Sequence, residues 1–210
     1  MARLPGRAVL VAALVAIAFS GPLRAGTLLL ARLENLPLRI ELGDDGRRAL
    51  GEVDGRRYLL DLDAGRIFRL DGNGGQRRIT TLGDDGASLD GYRLESWSPG
   101  PSVAGYGSIY NVLQRGETIC AEVLASRWMK PFAAPLVRSI ALLQRVEKGL
   151  RPPLREGCGR VAFATYARNG WPLMVGYRDV PIFVTESLRF GYPISDPRLA
   201  GSASCSDARC

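Results

Sequence analysis

Residues 120–158 read CAEVLASRWMKPFAAPLVRSIALLQRVEKGLRPPLREGC, and how they fold decides how the rest can be arranged. The segment opens strand-like at Cys120-Ala121-Glu122-Val123-Leu124, passes into an amphipathic helix and returns to a strand pattern over 160–168. Pro131 and Pro135 fall in the first turns of that helix, where a missing N–H is tolerated. Phe132, Leu136, Ile140, Leu143 and Val146 form the stripe expected of one buried face, and Arg138, Gln144, Arg145 and Lys148 cover the other. Gly149 is placed to cap the C-terminus, and Pro152-Pro153 forbids continuation.

On the N-terminal side the chain reads as short strands between turn signals. Residues 27–33 are apolar and β-prone; 36–42 alternate Leu38, Ile40 and Leu42 with Arg39 and Glu41; Gly43-Asp44-Asp45-Gly46 closes that strand as a hairpin turn. Segments 49–53 and 58–63 flank Asp54-Gly55, a strong two-residue hairpin signal, and 66–70 runs into the turn Asp71-Gly72-Asn73-Gly74-Gly75. The strand pattern resumes at 92–97, is interrupted by Ser98-Pro99-Gly100-Pro101, and continues as a hairpin of 108–114 with 117–124 across Arg115-Gly116. Beyond the helix, 160–168 and 172–178 flank Asn169-Gly170, and 182–190 is the last strand. Strands at this spacing, with no helical pattern among the first set, predict an antiparallel meander whose outer face is wet. The expected fold is mainly β: a curved antiparallel sheet or incomplete β-barrel with one long amphipathic helix packed on it.

The extreme N-terminus carries a separate message. Arg3 and Arg7 precede an unbroken apolar run of twelve residues, 8–19, which Ser20-Gly21-Pro22 ends just before Leu23-Arg24-Ala25. That is the three-part pattern of a Sec-type signal peptide, with cleavage expected after Ala25, and the run is short against the roughly 20 residues needed to span a bilayer. The expected organisation is a signal peptide at 1–25, one β-rich domain at 26–192 and a loosely ordered polar tail at 193–210, in an exported, periplasmic protein with no integral membrane segment after cleavage. Removing the signal leaves 185 of 210 residues, with 25 basic and 21 acidic, so the formal charge falls from +7 to +4. The pairs Arg47-Arg48, Arg56-Arg57 and Arg77-Arg78 are scattered at loops and strand ends, which excludes the clustered stripe a nucleic-acid partner needs.

Four cysteines in an exported chain are expected to pair, and three pairings are open. The favoured one joins Cys120 to Cys158 across the helix and Cys205 to Cys210 in the tail; a redox dithiol is disfavoured because no C-x-x-C spacing occurs.

The residue inventory narrows the chemistry. The chain has no histidine, which removes Ser-His-Asp and Cys-His mechanisms and imidazole metal sites. No Gly-x-Ser-x-Gly, Walker A or dinucleotide fingerprint is present. Asp61-Leu62-Asp63-Ala64-Gly65 begins like a calcium loop, but Gly65 comes a position early and Gly72 stands where the bidentate Glu is required, so it reads as a turn. Carboxylate pairs such as Asp61 with Asp63, or Glu122 with Glu186, are the remaining acid–base candidates, and acids on strands mostly face solvent. A non-enzyme without cofactor or metal is the expectation.

A resemblance covers about two thirds of the exported chain. Leu38-Arg39-Ile40-Glu41, Arg57 to Asp63 with Arg66 to Leu70, Cys120 to Leu124 leading into the proline-bearing helix, Gly170-Trp171-Pro172-Leu173 and Val184-Thr185-Glu186-Ser187 together resemble secreted bacterial proteins related to the periplasmic lipoprotein carriers of the Lol system. The resemblance implies an incomplete barrel with helices against its concave face, enclosing an apolar cavity for acyl chains. Under that reading Trp97, Trp128, Phe132 and Trp171 stand at the mouth and Leu136, Ile140 and Leu143 line the cavity, taking a hydrophobic or amphipathic ligand. The alternative is a module with a filled core that works through its surface on an envelope protein, the same aromatics then serving as packing.

Overall fold

Asp54 and Gly55 both adopt positive φ, 49° and 73°, the combination a tight two-residue hairpin requires, and β3 (Arg48–Val53) therefore turns straight into β4 (Arg56–Asp61). The computed structural model describes residues 25–79, 90–150, 156–178, 180–194 and 196–199. Around that hairpin run β1 (Ala25–Leu33), β2 (Leu36–Leu42), β5 (Arg66–Leu70) and β6 (Gln76–Ile79). The second half supplies β7 (Tyr92–Val103), β8 (Tyr106–Arg115), β9 (Thr118–Ser126), β10 (Trp171–Tyr177) and β11 (Val180–Pro193). All pair antiparallel in one 11-stranded sheet of order β6-β5-β4-β3-β2-β1-β11-β10-β9-β8-β7. Two meanders thus meet along one seam, β1 against β11, and the sheet does not close.

An open sheet has two free edges, and a bare edge is a template for pairing with another chain. β6 places Arg77 and Arg78 on one edge; β7 carries Pro99 and Pro101 and two register shifts on the other. Charge guards the first edge, and missing donors with irregular register guard the second.

The sheet alternates as its sequence predicts. Leu29 and Ala31, with Ile40 and Leu38 opposite them, are buried on the inner face together with Leu33 and Leu42. Across that face lies α1 (Lys130–Val146), entered through a 3-10 turn at Arg127–Met129 and touching β2, β3 and β10. Leu136, Ile140 and Leu143 are fully covered, each worth about 1.5–3 kcal/mol of burial. The approach is closest at Gly51 on β3, where an added Cβ would stand 2.9 Å from the Leu143 methyls. The sheet curls enough for the Tyr106 hydroxyl on β8 to donate to the Leu188 carbonyl on β11 at 2.7 Å, three places away in the order.

Four expectations change. Residues 160–168 are not a strand: Phe163–Tyr166 form the single-turn α2, in which Ala162, Ala164 and Ala167 disfavour a strand and one turn sets Phe163 and Tyr166 side by side. The interruption at Ser98-Pro99-Gly100-Pro101 is absent, because β7 is an edge strand whose bulges accommodate the prolines. β6 went unforeseen beyond the Asp71–Gly75 turn. Within the expected tail, Leu199 is buried against Leu50 and Leu59 on the outer face as part of a 3-10 turn, Pro197–Leu199.

Cys120 on β9 is bonded to Cys158, with sulfurs 2.05 Å apart. Because 160–168 is not a strand, the bond ties β9 to the segment that leads into α2. Cys205, Cys210, the segment up to Arg24, expected to be a signal peptide, and the turn Gly83-Asp84-Asp85-Gly86 lie outside the described residues.

Candidate functional site

The helix has two ends of different construction. α1 runs from the end of the sheet where β11 finishes to the end where β3 turns into β4, so the first can be called its entry and the second its exit.

At the exit the last helical carbonyls are met by protein. The Glu147 N–H donates to the Leu143 carbonyl at 2.8 Å, and the helix stops there rather than at the expected Gly149, which falls in a following 3-10 turn, Lys148–Leu150. A Cβ at Gly149 would stand 2.6 Å from a terminal methyl of Leu36, which would have to turn aside. The buried Glu147 carboxylate accepts a hydrogen bond from the Tyr58 hydroxyl and two from Arg56 Nη1, at 3.1 and 2.9 Å. A carboxylate at a helix C-terminus opposes the helix dipole, and the Arg56 guanidinium offsets that. Desolvation first, and the bond to Glu147 second, push the Tyr58 hydroxyl up from 10.0 to about 12.

Between the ends, where the resemblance implies a cavity, stands an aromatic cluster. Phe163 of α2 packs on Phe183 at 5.0 Å between ring centroids and on Trp171 at 6.0 Å, and Trp171 meets Phe183 at 6.0 Å. Trp171 is fully buried, its indole N–H donating to Thr185 Oγ1 at 3.0 Å. Beside it, Asn111 spans two strands by donating to the Ile109 and Val123 carbonyls and accepts from Ser96 and Asn169 at 2.7 and 3.0 Å. Leu136, Ile140 and Leu143 are buried in the same core cluster as these rings.

At the entry the helix is uncovered. Trp128 is 88% exposed, Phe132 45% and Phe190, on β11, 41%. The Phe132 and Phe190 rings stack obliquely with centroids 4.4 Å apart. Phe132 belongs to the buried stripe by angle, yet it sits in the first helical turn at the sheet's rim, where Phe190 is the aromatic that meets it. Arg127 and Lys130, on either side of Trp128 in sequence, are exposed, as is Arg189 on the other face of β11 from Phe190, and the first helical turn contains no acid.

The expected mouth residues thus separate. Trp128 and Phe132 share the entry rim, Trp171 is core, and Trp97, 63% exposed, lies midway along edge strand β7 at its bulge rather than at a strand end. Phe190, missed as a site residue, was legible only as the end of the last strand; its contact with Phe132 depends on the β1–β11 seam. The candidate carboxylates also part: Asp61 Oδ1 accepts the Ala64 N–H at 3.0 Å, Asp63 pairs with Arg47 at 3.5 Å, Glu186 pairs with Arg32 at 3.0 Å, and Glu122 lies two strands from Glu186. Among the described residues no group of three His, Cys, Asp or Glu is placed to hold a metal ion, and no helix is long and apolar enough to cross a membrane.

A separate cleft of about 350 Å³ opens at the exit end, lined by Arg56, Arg57, Arg69, Leu70 and Arg198 among others. Its cations are largely engaged: Arg56 with Glu147 and Asp54, Arg198 with Asp196 at 2.6 Å, and Arg57 with Asp196 at 4.0 Å. The Arg198 side chain holds the Asp196 carboxyl below the usual carboxylate range.

Compared with protein-family models the chain matches none, and compared with curated proteins it matches none.

Proposed function

We propose that the protein is an exported, non-catalytic binder or carrier of a hydrophobic or amphipathic ligand, such as a lipid or a lipidated partner. The observation that carries this reading is the aromatic rim at the helix entry. Large apolar side chains in contact with one another and left in water mark a binding surface more than a fold requirement. Phe132 and Phe190 are such a pair, with the exposed Trp128 just ahead of the helix, at the open end of a sheet of the kind the resemblance to lipoprotein carriers implies. The ligand's apolar part would lie against Phe132 and Phe190 rather than under Leu136, Ile140 and Leu143, which are already covered.

The buried aromatic cluster supports a second reading, a surface-acting module of an envelope complex. The Phe163, Trp171 and Phe183 cluster and the close approach at Gly51 are what such a module would have. A delipidated sample titrated with a fluorescent fatty acid separates the two. Saturable, stoichiometric uptake that Phe132→Asp weakens at least about tenfold is expected, because an ionised carboxylate on the rim opposes an apolar ligand. Absence of uptake together with a co-purifying envelope protein would establish the module instead.

A further inference from the structure

We infer that the entry rim docks on an anionic membrane surface. The inference rests on the reading above only in sharing its rim residues, and its test is separate. Three properties of the rim point to a bilayer rather than to a folded partner.

The first is the kind of side chain. Trp128 precedes the helix in a 3-10 turn and is 88% exposed, so it contributes little to the protein's own packing. Tryptophan sits favourably at the level of lipid headgroups, where its ring is apolar and its N–H can still meet water or phosphate. Phe132, four residues on, stacks with Phe190, and the pair presents the apolar area that enters below that level.

The second is charge. Arg127 and Lys130 are both exposed and flank Trp128 along the chain, Arg127-Trp128-Met129-Lys130, while Arg189, next to Phe190, is exposed on the other face of the strand. Asp44 and Asp45 stand on the β2–β3 turn, whose Gly46 approaches Pro135. Asp45 is occupied in accepting the Arg47 N–H at 2.9 Å. A basic fringe around exposed aromatics complements anionic headgroups, whereas the core of a protein–protein contact is poor in lysine.

The third is shape. The rim is the tip where a helix begins and a strand ends, and the rest of α1's apolar face is already covered by the sheet. A tip of this kind inserts shallowly, as interfacial elements do, and does not span.

The test uses the purified chain, its N-terminus read by mass spectrometry, with each variant compared at the same N-terminus so that the apolar run 8–19 cannot account for a difference. Vesicles of phosphatidylglycerol with phosphatidylcholine, and of phosphatidylcholine alone, are the probes; co-sedimentation and tryptophan emission are the readouts. Binding to the anionic vesicles with a blue shift is expected, together with weakening by salt and by the double change Arg127→Glu, Lys130→Glu of at least about tenfold. Trp128→Phe should abolish the blue shift, and Trp97→Phe should leave it in place. Fatty-acid uptake by the charge-reversed pair reports on the ligand-binding reading alone: uptake retained with vesicle binding lost supports docking as a distinct property. No association with anionic vesicles, or equal association with both kinds that is indifferent to the charge reversal, overturns the inference.

Discussion

At its exit α1 hands Glu147 to Tyr58 and Arg56; at its entry it begins with Trp128, Lys130 and Phe132 facing water. One end is satisfied by the protein and the other is left for something outside it. The contrast teaches where to look for each kind of effect: substitutions at the exit and beneath the helix should move stability, and substitutions at the entry should move binding.

The largest expected effect is at the cystine. Cys120 and Cys158 are 38 residues apart in sequence, and closing a loop of that size restricts the unfolded chain by about 4 kcal/mol. Replacing both with serine should lower the urea-unfolding free energy by roughly that amount; a loss below about 1 kcal/mol would mean that the α1–α2 region is held by packing alone. Next comes Glu147→Ala, which strands the buried Tyr58 hydroxyl and should cost about 1–3 kcal/mol in the same measurement.

Tyr58→Phe sharpens the comparison through pH. The Tyr58 hydroxyl is raised from 10.0 to about 12 in the folded chain, so folding favours its protonated form. Its contribution is therefore present in full below pH 10 and drains away as pH rises towards 12. Wild-type stability should fall across that window more steeply than that of Tyr58→Phe; parallel curves would show the bond to Glu147 to be inconsequential. The smallest expected effect is Trp128→Ala, within about 0.5 kcal/mol of wild type, because an exposed side chain has little packing to lose. A clear destabilisation there would break the contrast by making the entry as structural as the exit.

How legible these features were in the sequence follows from how local their causes are. The first meander could be read because its turns are short and chemically marked, and 36–42 and 66–70 coincide with β2 and β5. β6 could not: four residues with two adjacent arginines carry no alternation, and their pairing comes from β5. β7 hid behind its prolines, whose tolerance depends on having no neighbour on one side. In 160–168 the sequence alternates plausibly for a strand, and the interior it had to fill, between Trp171 and Phe183, exists only once the sheet has curled. Of the candidate site, Trp128 and Phe132 were found by their types at the helix start, while Trp171 was misplaced because nothing local distinguishes a rim tryptophan from a core one.

The contact at Gly51 also sets a thickness. With no side chain there, the sheet and α1 are separated by the height of Leu143, whose methyls would meet any added Cβ at 2.9 Å. An alanine at that position would act as a shim, obliging Leu143 to give way, and a bulkier residue would wedge the helix outward along its length. The interval between filled core and container is then governed from a single backbone position, and a graded series there would show how far this fold can be opened before it stops holding together.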